Sequence, residues 1–329
     1  MAPAPPRRRT LWRRLRRATR GPRNAALARA IYGSARALGA LPIPLALGVG
    51  RALGAGAHAL LARDRRLALA HVAAAFPELA PPARDALVRE TFRHAGQSFA
   101  ELALWPRLVH RPGWIDVTGR EAADAALAGG RGAIAVTGHV GNWELLAATM
   151  AQCYPLTVVA RRVNDARFDA LIVRFRRAAG VEILVRDDTR FFAGVRDALG
   201  RNRIVALLID QDTRGAGVWV PFFGRPARTP AGAAVLALRL RAPLLTAFIE
   251  RRDDGRHLVR IASVAAPADG GRGRIGALTV ALTAAIEAQI RRAPAQWVWW
   301  HERWRRQPGE ADSPLLPPGC VVPVSAARE

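Results

Sequence analysis

The chain has 329 residues, which suffices for one large domain or two smaller ones and for a sizeable buried core. Half of the residues are hydrophobic, which excludes an intrinsically disordered protein and favours a globular or membrane-associated one. The 50 basic residues, all of them arginine, outnumber the 26 acidic ones and leave a formal charge of +24. Such a charge favours phosphate-bearing, acidic or anionic-membrane partners.

Cysteine usage predicts a reducing compartment. Cys153 and Cys320 are too few and too far apart for a disulfide framework or a zinc site. The arginine-rich start is not followed by a clean apolar run with a small-residue cleavage site, so a cleavable signal peptide is not predicted.

Residues 1–23 form a basic N-terminal arm with nine arginines and no acid. Leu11, Trp12 and Leu15 can share one side of a short helix, which predicts a basic amphipathic segment for a membrane surface. Nucleic-acid binding is the alternative for such an arm. It is less favoured because nothing downstream resembles a groove-reading module, and no nucleic-acid partner is expected.

Residues 24–110 are predicted to be a helical, membrane-associated region. Within it, residues 41–61 are apolar and long enough to span a bilayer, which takes about 20 residues. Arg51 lies at the centre of this stretch, and a central arginine costs about 2.5 kcal/mol or more. We therefore favour a helix that lies in or dips into the membrane interface, with an ordinary buried helix as the alternative. A second helix is predicted over residues 81–104 from its apolar spacing.

Residues 111–308 alternate between strand and helix patterns, which predicts an α/β fold with a mostly parallel central sheet flanked by helices. The predicted strands are 132–137, 156–160, 181–185, 204–209, 244–249 and 257–262. The predicted helices are 142–152, 166–179, 190–200, 230–241 and 274–292. Residues 309–329 are predicted to be an irregular tail.

The stretch T-G-H-V-G-N-W-E places His139 and Glu144 directly after the strand at 132–137. Asn142 is a good N-cap, so His139 lies on the loop at a strand's carboxyl end, where open α/β sheets bind ligands. A histidine oriented by a carboxylate can take a proton from a hydroxyl. A capping network with an incidental histidine explains the spacing equally well, and a metal site is weaker because no third ligand is evident.

A second polar group, Asp210-Gln211-Asp212, follows the apolar run at 205–209. Carboxylates at strand ends are enriched at functional sites, but a loop cap or a two-carboxylate metal site remains open. Gly215 and Gly217 precede Phe222-Phe223-Gly224, which suggests either a mobile flap over an apolar groove or aromatic side chains of the core.

The sequence G-H-V-G-N-W-E resembles the H-x4-D/E motif of the glycerolipid acyltransferase superfamily, and its Gly-Asn-Trp context resembles the lipid A biosynthesis lauroyl/myristoyl acyltransferases. Four further blocks agree in order and spacing: F-P-E-L (76–79), V-V-A-R-R-V-N-D-A-R-F-D (158–169), L-I-D-Q-D-T-R-G-A-G-V-W-V-P-F-F-G-R-P-A-R-T-P (208–230) and W-V-W-W-H-E-R-W (297–304). The resemblance covers residues 30 to 306, approximately. It departs from the family at His71, where asparagine is common.

The resemblance implies a membrane-associated acyltransferase on the cytoplasmic face of the inner membrane. The enzyme would move a fatty acyl chain from an acyl-carrier-protein thioester to a hydroxyl of a lipid A precursor or similar glycolipid, as in lipopolysaccharide synthesis. His139 would be the general base, with Glu144 orienting it. Arg161 or its competitor Arg162 would stabilise the oxyanion or hold phosphate. With this assignment we expect neither a metal ion nor a cofactor.

In the same family-based assignment, Asp210 and Gln211 belong to the substrate-binding side, where Asp210 would organise the acceptor site or the arginines. Two alternatives remain. One is an acyltransferase that uses acyl-CoA and another glycolipid or phospholipid acceptor, such as a phosphatidylinositol mannoside. The other is a non-catalytic basic membrane-binding protein, in which the charge is the whole function.

Overall fold

The computed structural model describes residues 32–162, 166–213, 215–265 and 273–309. The predicted basic arm at 1–23 lies outside the described residues, as does all of the predicted tail at 309–329 except Gly309.

Among the described residues, four helices precede the first strand. They are α1 over residues 32–40, α2 (Ile43–Leu60), α3 (Ala62–Ala75) and α4 (Pro81–Val109). Both α2 and α4 carry proline in their first two positions, where the missing N–H would lack a helical partner in any case. The helix predicted over 81–104 is confirmed, and it continues for about one more turn.

The apolar helix α2 lies against α4 at unusually short distance, because glycines face each other across the contact. A Cβ added to Gly96 would lie 2.1 Å from the carbonyl oxygen of Gly50, and one added to Gly54 would lie 2.2 Å from that of Phe92. Gly50 and Gly54 are four residues apart and so share one face of α2. The two backbones can approach this closely only without side chains.

The opposite side of α2 is apolar and exposed. Leu45, Leu53 and Leu60 are 53%, 55% and 83% exposed, and α2 is long and apolar enough to cross a membrane by length and composition. Arg51 does not share this exposed face, because its guanidinium forms a two-bonded ion pair with Glu90 of α4, with Nη2 2.8 Å from Oε2. Only 28% of α2 is buried, which argues against an ordinary core helix. The predicted N-terminal helical region therefore carries an apolar helix suited to membrane association.

In the part of the chain that the structure describes, seven strands form the central sheet in the order β1-β9-β8-β2-β5-β3-β4. Their bounds are β1 (Ile115–Thr118), β2 (Ala133–Thr137), β3 (Leu156–Ala160), β4 (Glu182–Val185), β5 (Ile204–Leu208), β8 (Leu244–Arg251) and β9 (His257–Ser263). Among these seven strands the neighbouring pairs are parallel except β8 with β9, which is antiparallel. The predicted α/β fold with a mostly parallel sheet is confirmed, including all six predicted strands.

Helices flank this sheet. They are α5 (Arg120–Leu127), α6 (Trp143–Cys153), α7 (Ala166–Ala178), α8 (Phe191–Gly200), α9 (Gly232–Leu240) and α10 (Arg274–Arg292), followed by a short 3-10 turn at Pro294–Gln296. The sequence did not predict β1, α5 or the hairpin of β6 (Gly217–Phe222) and β7 (Arg225–Pro230). In this hairpin Phe222 is fully buried, 5.6 Å from the ring of Trp297, so this aromatic side chain belongs to the core and not to an exposed flap.

We predict that Gly96→Ala destabilises the protein by about 1–3 kcal/mol, because the new methyl group overpacks the contact between α2 and α4. Chemical unfolding in detergent measures the change. Gly56→Ala is the matched control, because Gly56 lies on α2 and a Cβ added there has no heavy atom within 4 Å. Alanine has the better helix propensity, so this substitution is expected to stabilise the protein by up to about 1 kcal/mol. Equal effects of the two substitutions would contradict the close-contact explanation.

Candidate active site

The loop between β2 and α6 carries the predicted site at the centre of the sheet. The predicted N-cap is confirmed, since Asn142 Oδ1 accepts a hydrogen bond of 3.1 Å from the backbone N–H of Leu145. Gly141 has a φ of +63°, and a Cβ there would lie 2.1 Å from the carbonyl oxygen of Ile249 on β8. Only glycine fits this turn, which brings His139 to the carboxyl end of β2.

A buried carboxylate holds His139 at two points. Nδ1 of His139 lies 2.7 Å from Oδ1 of Asp210, and the backbone N–H of His139 donates to Oδ2 at 2.7 Å. The indole N–H of Trp297 donates to the same Oδ2 at 2.8 Å. Asp210 follows β5, the parallel neighbour of β2, and its side chain is fully buried.

The protonation state of this pair follows from its surroundings. Burial alone would raise the pKa of Asp210, but the His139 imidazole and the three donors hold that pKa well below its usual range. Asp210 is therefore ionised and accepts, so Nδ1 of His139 carries the proton. When the ring is neutral, Nε2 is then left with a lone pair. This is the tautomer that a general base for a hydroxyl requires.

Gln211 and His301 complete the group around His139. The Gln211 side-chain Nε2 lies 3.1 Å from Nε2 of His139 and 3.0 Å from Nδ1 of His301. In this tautomer Nε2 of His139 can only accept, so the Gln211 amide donates to it and to Nδ1 of His301. Burial and then the neighbouring His139 lower the pKa of His301 to about 4, so this ring is neutral at neutral pH. Sequence reasoning did not assign His301 to the site, although the W-x-x-x-H-x-R-W block contains it.

Glu144, expected to orient His139, has a different partner in the structure. Its two oxygens accept from Nη2 and Nε of Arg176 on α7, at 2.6 Å and 3.0 Å. Both side chains are largely buried. The first turn of α6 is thus joined to α7. Asp210, which follows the neighbouring strand β5, bonds Nδ1 of His139 in the place where the sequence predicted Glu144.

A cavity of about 480 Å³ opens beside His139, a size within the usual range for small-molecule and cofactor sites. Apolar side chains such as Ile172, Phe191 and Leu236 line it. Its cationic side chains are Arg161, Arg162, Arg176 and Arg186, and Gln211 also borders it. The structure therefore brings Arg161, Arg162, Gln211 and His139 to one cavity. Among the described residues, no group of three or more His, Cys, Asp or Glu side chains is placed to hold a metal ion.

We predict that His301 makes folding pH-dependent between pH 6.5 and about 4. The unfolded chain protonates this histidine near pH 6.5, whereas the folded chain does so only near pH 4. Across that window the unfolded state binds more protons, so the free energy of unfolding falls as the pH falls. His301→Asn is expected to show a shallower fall in urea unfolding between pH 7 and pH 4. His110→Asn removes an exposed imidazole as a control, and identical slopes for His301→Asn and the parent would contradict the prediction.

Comparison with known proteins identifies the family of the chain. The family described as bacterial lipid A biosynthesis acyltransferase matches residues 18–306. A phosphatidylinositol mannoside acyltransferase of Mycolicibacterium smegmatis is 31% identical over 68% of this chain and 75% of its own length. A lipid A biosynthesis palmitoleoyltransferase of Escherichia coli K12 is 27% identical over 82% of this chain and 87% of its own. A lipid A biosynthesis lauroyltransferase of the same organism is 27% identical over 82% of this chain and 88% of its own length. The resemblance inferred from the motifs is confirmed: the chain belongs to the bacterial lipid A biosynthesis acyltransferase family and is an acyltransferase of lipid A or glycolipid biosynthesis.

Proposed function

We propose that the protein transfers a fatty acyl chain from an acyl-carrier-protein thioester to a hydroxyl of a lipid A precursor or similar glycolipid. The observation that carries the proposal is the pairing of His139 with ionised Asp210, which leaves the Nε2 lone pair of His139 at a largely apolar cavity with a cationic rim. Such a cavity suits an acyl chain joined to a polar, phosphate-bearing group.

In the proposed mechanism, His139 Nε2 takes the proton of the acceptor hydroxyl while the hydroxyl oxygen attacks the thioester carbonyl carbon. Asp210 stabilises the imidazolium that forms. Arg161 or Arg162 stabilises the negative oxygen of the tetrahedral intermediate. Collapse of the intermediate breaks the carbon–sulfur bond and forms the ester, and the leaving thiolate receives the proton from Nε2. Gln211 gives up its hydrogen bond to Nε2 when the acceptor hydroxyl enters.

Glu144 supports the reaction through Arg176 in this proposal. Its two hydrogen bonds fix the guanidinium of Arg176 at the wall of the cavity that His139 faces. The guanidinium N–H groups that do not bond Glu144 can donate to a phosphate of the acceptor or the donor. Glu144 thereby shapes the substrate site, and Asp210 performs the orienting role at the imidazole.

Charge and the apolar helix support a location at the cytoplasmic face of the inner membrane. Acyl carrier proteins are acidic, and both the membrane surface and phosphorylated glycolipids are anionic, so all three attract a chain of formal charge +24. The exposed leucines of α2 offer an apolar face to the lipid, and the charge of the partly exposed Arg51 is balanced by Glu90 of α4.

A second candidate is transfer from acyl-CoA to a phosphatidylinositol mannoside or another glycolipid. It is favoured by two relatives named phosphatidylinositol mannoside acyltransferase, from Mycolicibacterium smegmatis and Mycobacterium tuberculosis H37Rv, which are 31% and 30% identical. The same base and cavity would serve a sugar hydroxyl of either acceptor.

We predict that His139→Ala lowers kcat by about 10²–10⁴-fold, because the general base is lost. Asp210→Asn is expected to give a loss in the same range, since an amide does not stabilise the imidazolium. Both variants are assayed for kcat and KM with an acyl-carrier-protein thioester and a lipid A precursor. His110→Ala, at an exposed histidine, controls for histidine removal as such. A parent rate in His139→Ala would refute the mechanism.

We predict that deletion of the gene removes one acyl chain from the organism's lipid A, because the hydroxyl that receives the chain stays free. Mass spectrometry of membrane lipids with and without the gene measures this loss. The missing mass identifies the chain length and the acceptor together. Unchanged lipid A with an acyl-deficient phosphatidylinositol mannoside would support the second candidate instead.

A further inference from the structure

A fully buried charged cluster lies beneath the His139 loop and takes no part in the reaction proposed above. Its centre is Glu101 of α4, whose side chain has no exposed surface. Arg251 donates to both carboxylate oxygens at 2.9 Å and 2.8 Å, and the His257 ring Nε2 lies 2.8 Å from Oε1. The fourth hydrogen bond comes from Nδ2 of Asn142, 2.8 Å from Oε2.

We propose that Glu101 is a positioning residue for the acyl transfer: through Asn142 and Arg251 it holds the loop that carries His139 in the geometry that proton transfer requires. The inference rests on the proposed function of His139 as the base. Glu101 itself does not touch the reacting atoms.

The first connection runs through the residue type at the N-cap. Serine, aspartate and asparagine cap a helix about equally well, because the cap needs only an acceptor. Asn142 uses both ends of its amide: Oδ1 accepts from Leu145, and Nδ2 donates to Glu101 and, at 3.2 Å, to the carbonyl oxygen of Ser98. The Nδ2 donor of Asn142 has acceptors only because Glu101 and Ser98 of α4 lie opposite it.

The second connection runs through Arg251 at the end of β8. Its backbone N–H and C=O exchange hydrogen bonds of 2.8 Å and 2.7 Å with the side-chain amide of Gln296. The backbone carbonyl of Gln296 accepts from the N–H of Gly141 at 2.8 Å. Glu101 is thus connected to the last two loop residues before α6. It bonds the side chain of Asn142 directly, and it reaches the backbone of Gly141 through Arg251 and Gln296.

The energetics favour positioning over stability as the reason for this cluster. Taking a carboxylate and a guanidinium out of water costs several kcal/mol for each ion, and apolar residues of similar volume are often as stabilising as a buried pair. Hydrogen-bonded ion pairs have fixed directions, which apolar contacts lack. Such directions suit a loop whose imidazole must lie correctly within about 1 Å, since a misplacement of that size costs about 10²-fold in rate.

The test uses Asn142→Ser and Glu101→Gln, assayed with the acyl-carrier-protein thioester and lipid A precursor. Asn142→Ser keeps a capping oxygen and loses the donor to Glu101, whereas Glu101→Gln keeps the side-chain size and loses the charge. We expect each to lower kcat by about 10-fold to 10²-fold, with KM for both substrates within about twofold of the parent. Because Glu101→Gln already disturbs the connection that Asn142→Ser breaks, the double variant is expected to be no slower than the slower single variant.

Glu250→Gln is the matched control. Glu250 precedes Arg251 on β8 and has its own ion pair, with Arg260, and a bond from Gln289, so the same carboxylate-to-amide change is made without touching the His139 loop. It is expected to keep the parent kcat. Melting temperatures of all variants separate a loss of folded protein from a loss of rate. If Glu101→Gln does not fold, Asn142→Ser decides alone, because it retains the helix cap.

The outcomes distinguish this inference from the proposed function. A parent kcat in folded Asn142→Ser, or additive losses in the double variant, overturns the positioning role of Glu101 even when His139→Ala is inactive. Full activity in His139→Ala refutes the proposed base itself. A fall in kcat with unchanged KM in both single variants, with no further loss in the double variant, supports the positioning role.

Discussion

The site depends on one buried interaction, the contact between the Asp210 carboxylate and His139. An unpaired carboxylate at this depth would be protonated or would destabilise the fold. Three hydrogen bonds, two from His139 and one from Trp297, keep Asp210 ionised, and the ionised form determines which ring nitrogen of His139 carries the proton. The same three bonds join the loop after β2, the residues after β5 and the segment that contains Trp297. The atoms that orient His139 therefore also hold these parts of the fold together.

Sheet topology explains why Asp210 meets His139. Thr137 of β2 pairs with Leu208 of β5 in parallel register, and two residues beyond each lie His139 and Asp210. Parallel neighbours therefore leave the sheet at the same level, and the side chains that follow them can meet. Glu144 is closer to His139 in sequence, but it belongs to the first turn of α6 and forms its ion pair with α7.

Polar contacts also extend from the site toward the apolar helix. Nη2 of Arg51 on α2 donates to Oε2 of Glu90. Oε1 of Glu90 lies 3.7 Å from Nε2 of His94, and Nδ1 of His94 accepts from Nη1 of Arg251 at 2.6 Å. Burial and then Arg251 lower the pKa of His94 to about 4, so a neutral ring lies between the two ion pairs. The charge in the middle of α2, on a side chain that is 42% exposed, is thus paired with Glu90 of α4.

The sequence by itself determined the α/β class, the six strands of regular pattern, the N-cap at Asn142 and the family, because periodicity, capping and ordered motifs are local signals. It missed β1, whose four residues show no alternation of buried and exposed positions, and the β6–β7 hairpin, which packs against tryptophans about 80 residues later in the chain. It also selected the nearer carboxylate, Glu144, as the partner of His139. Only the tertiary structure showed that Asp210 is the carboxylate that bonds His139, and that Gln211, His301 and Glu101 lie at the same loop. These contacts join residues 41 to 90 positions apart, because they arise from strand order and helix packing.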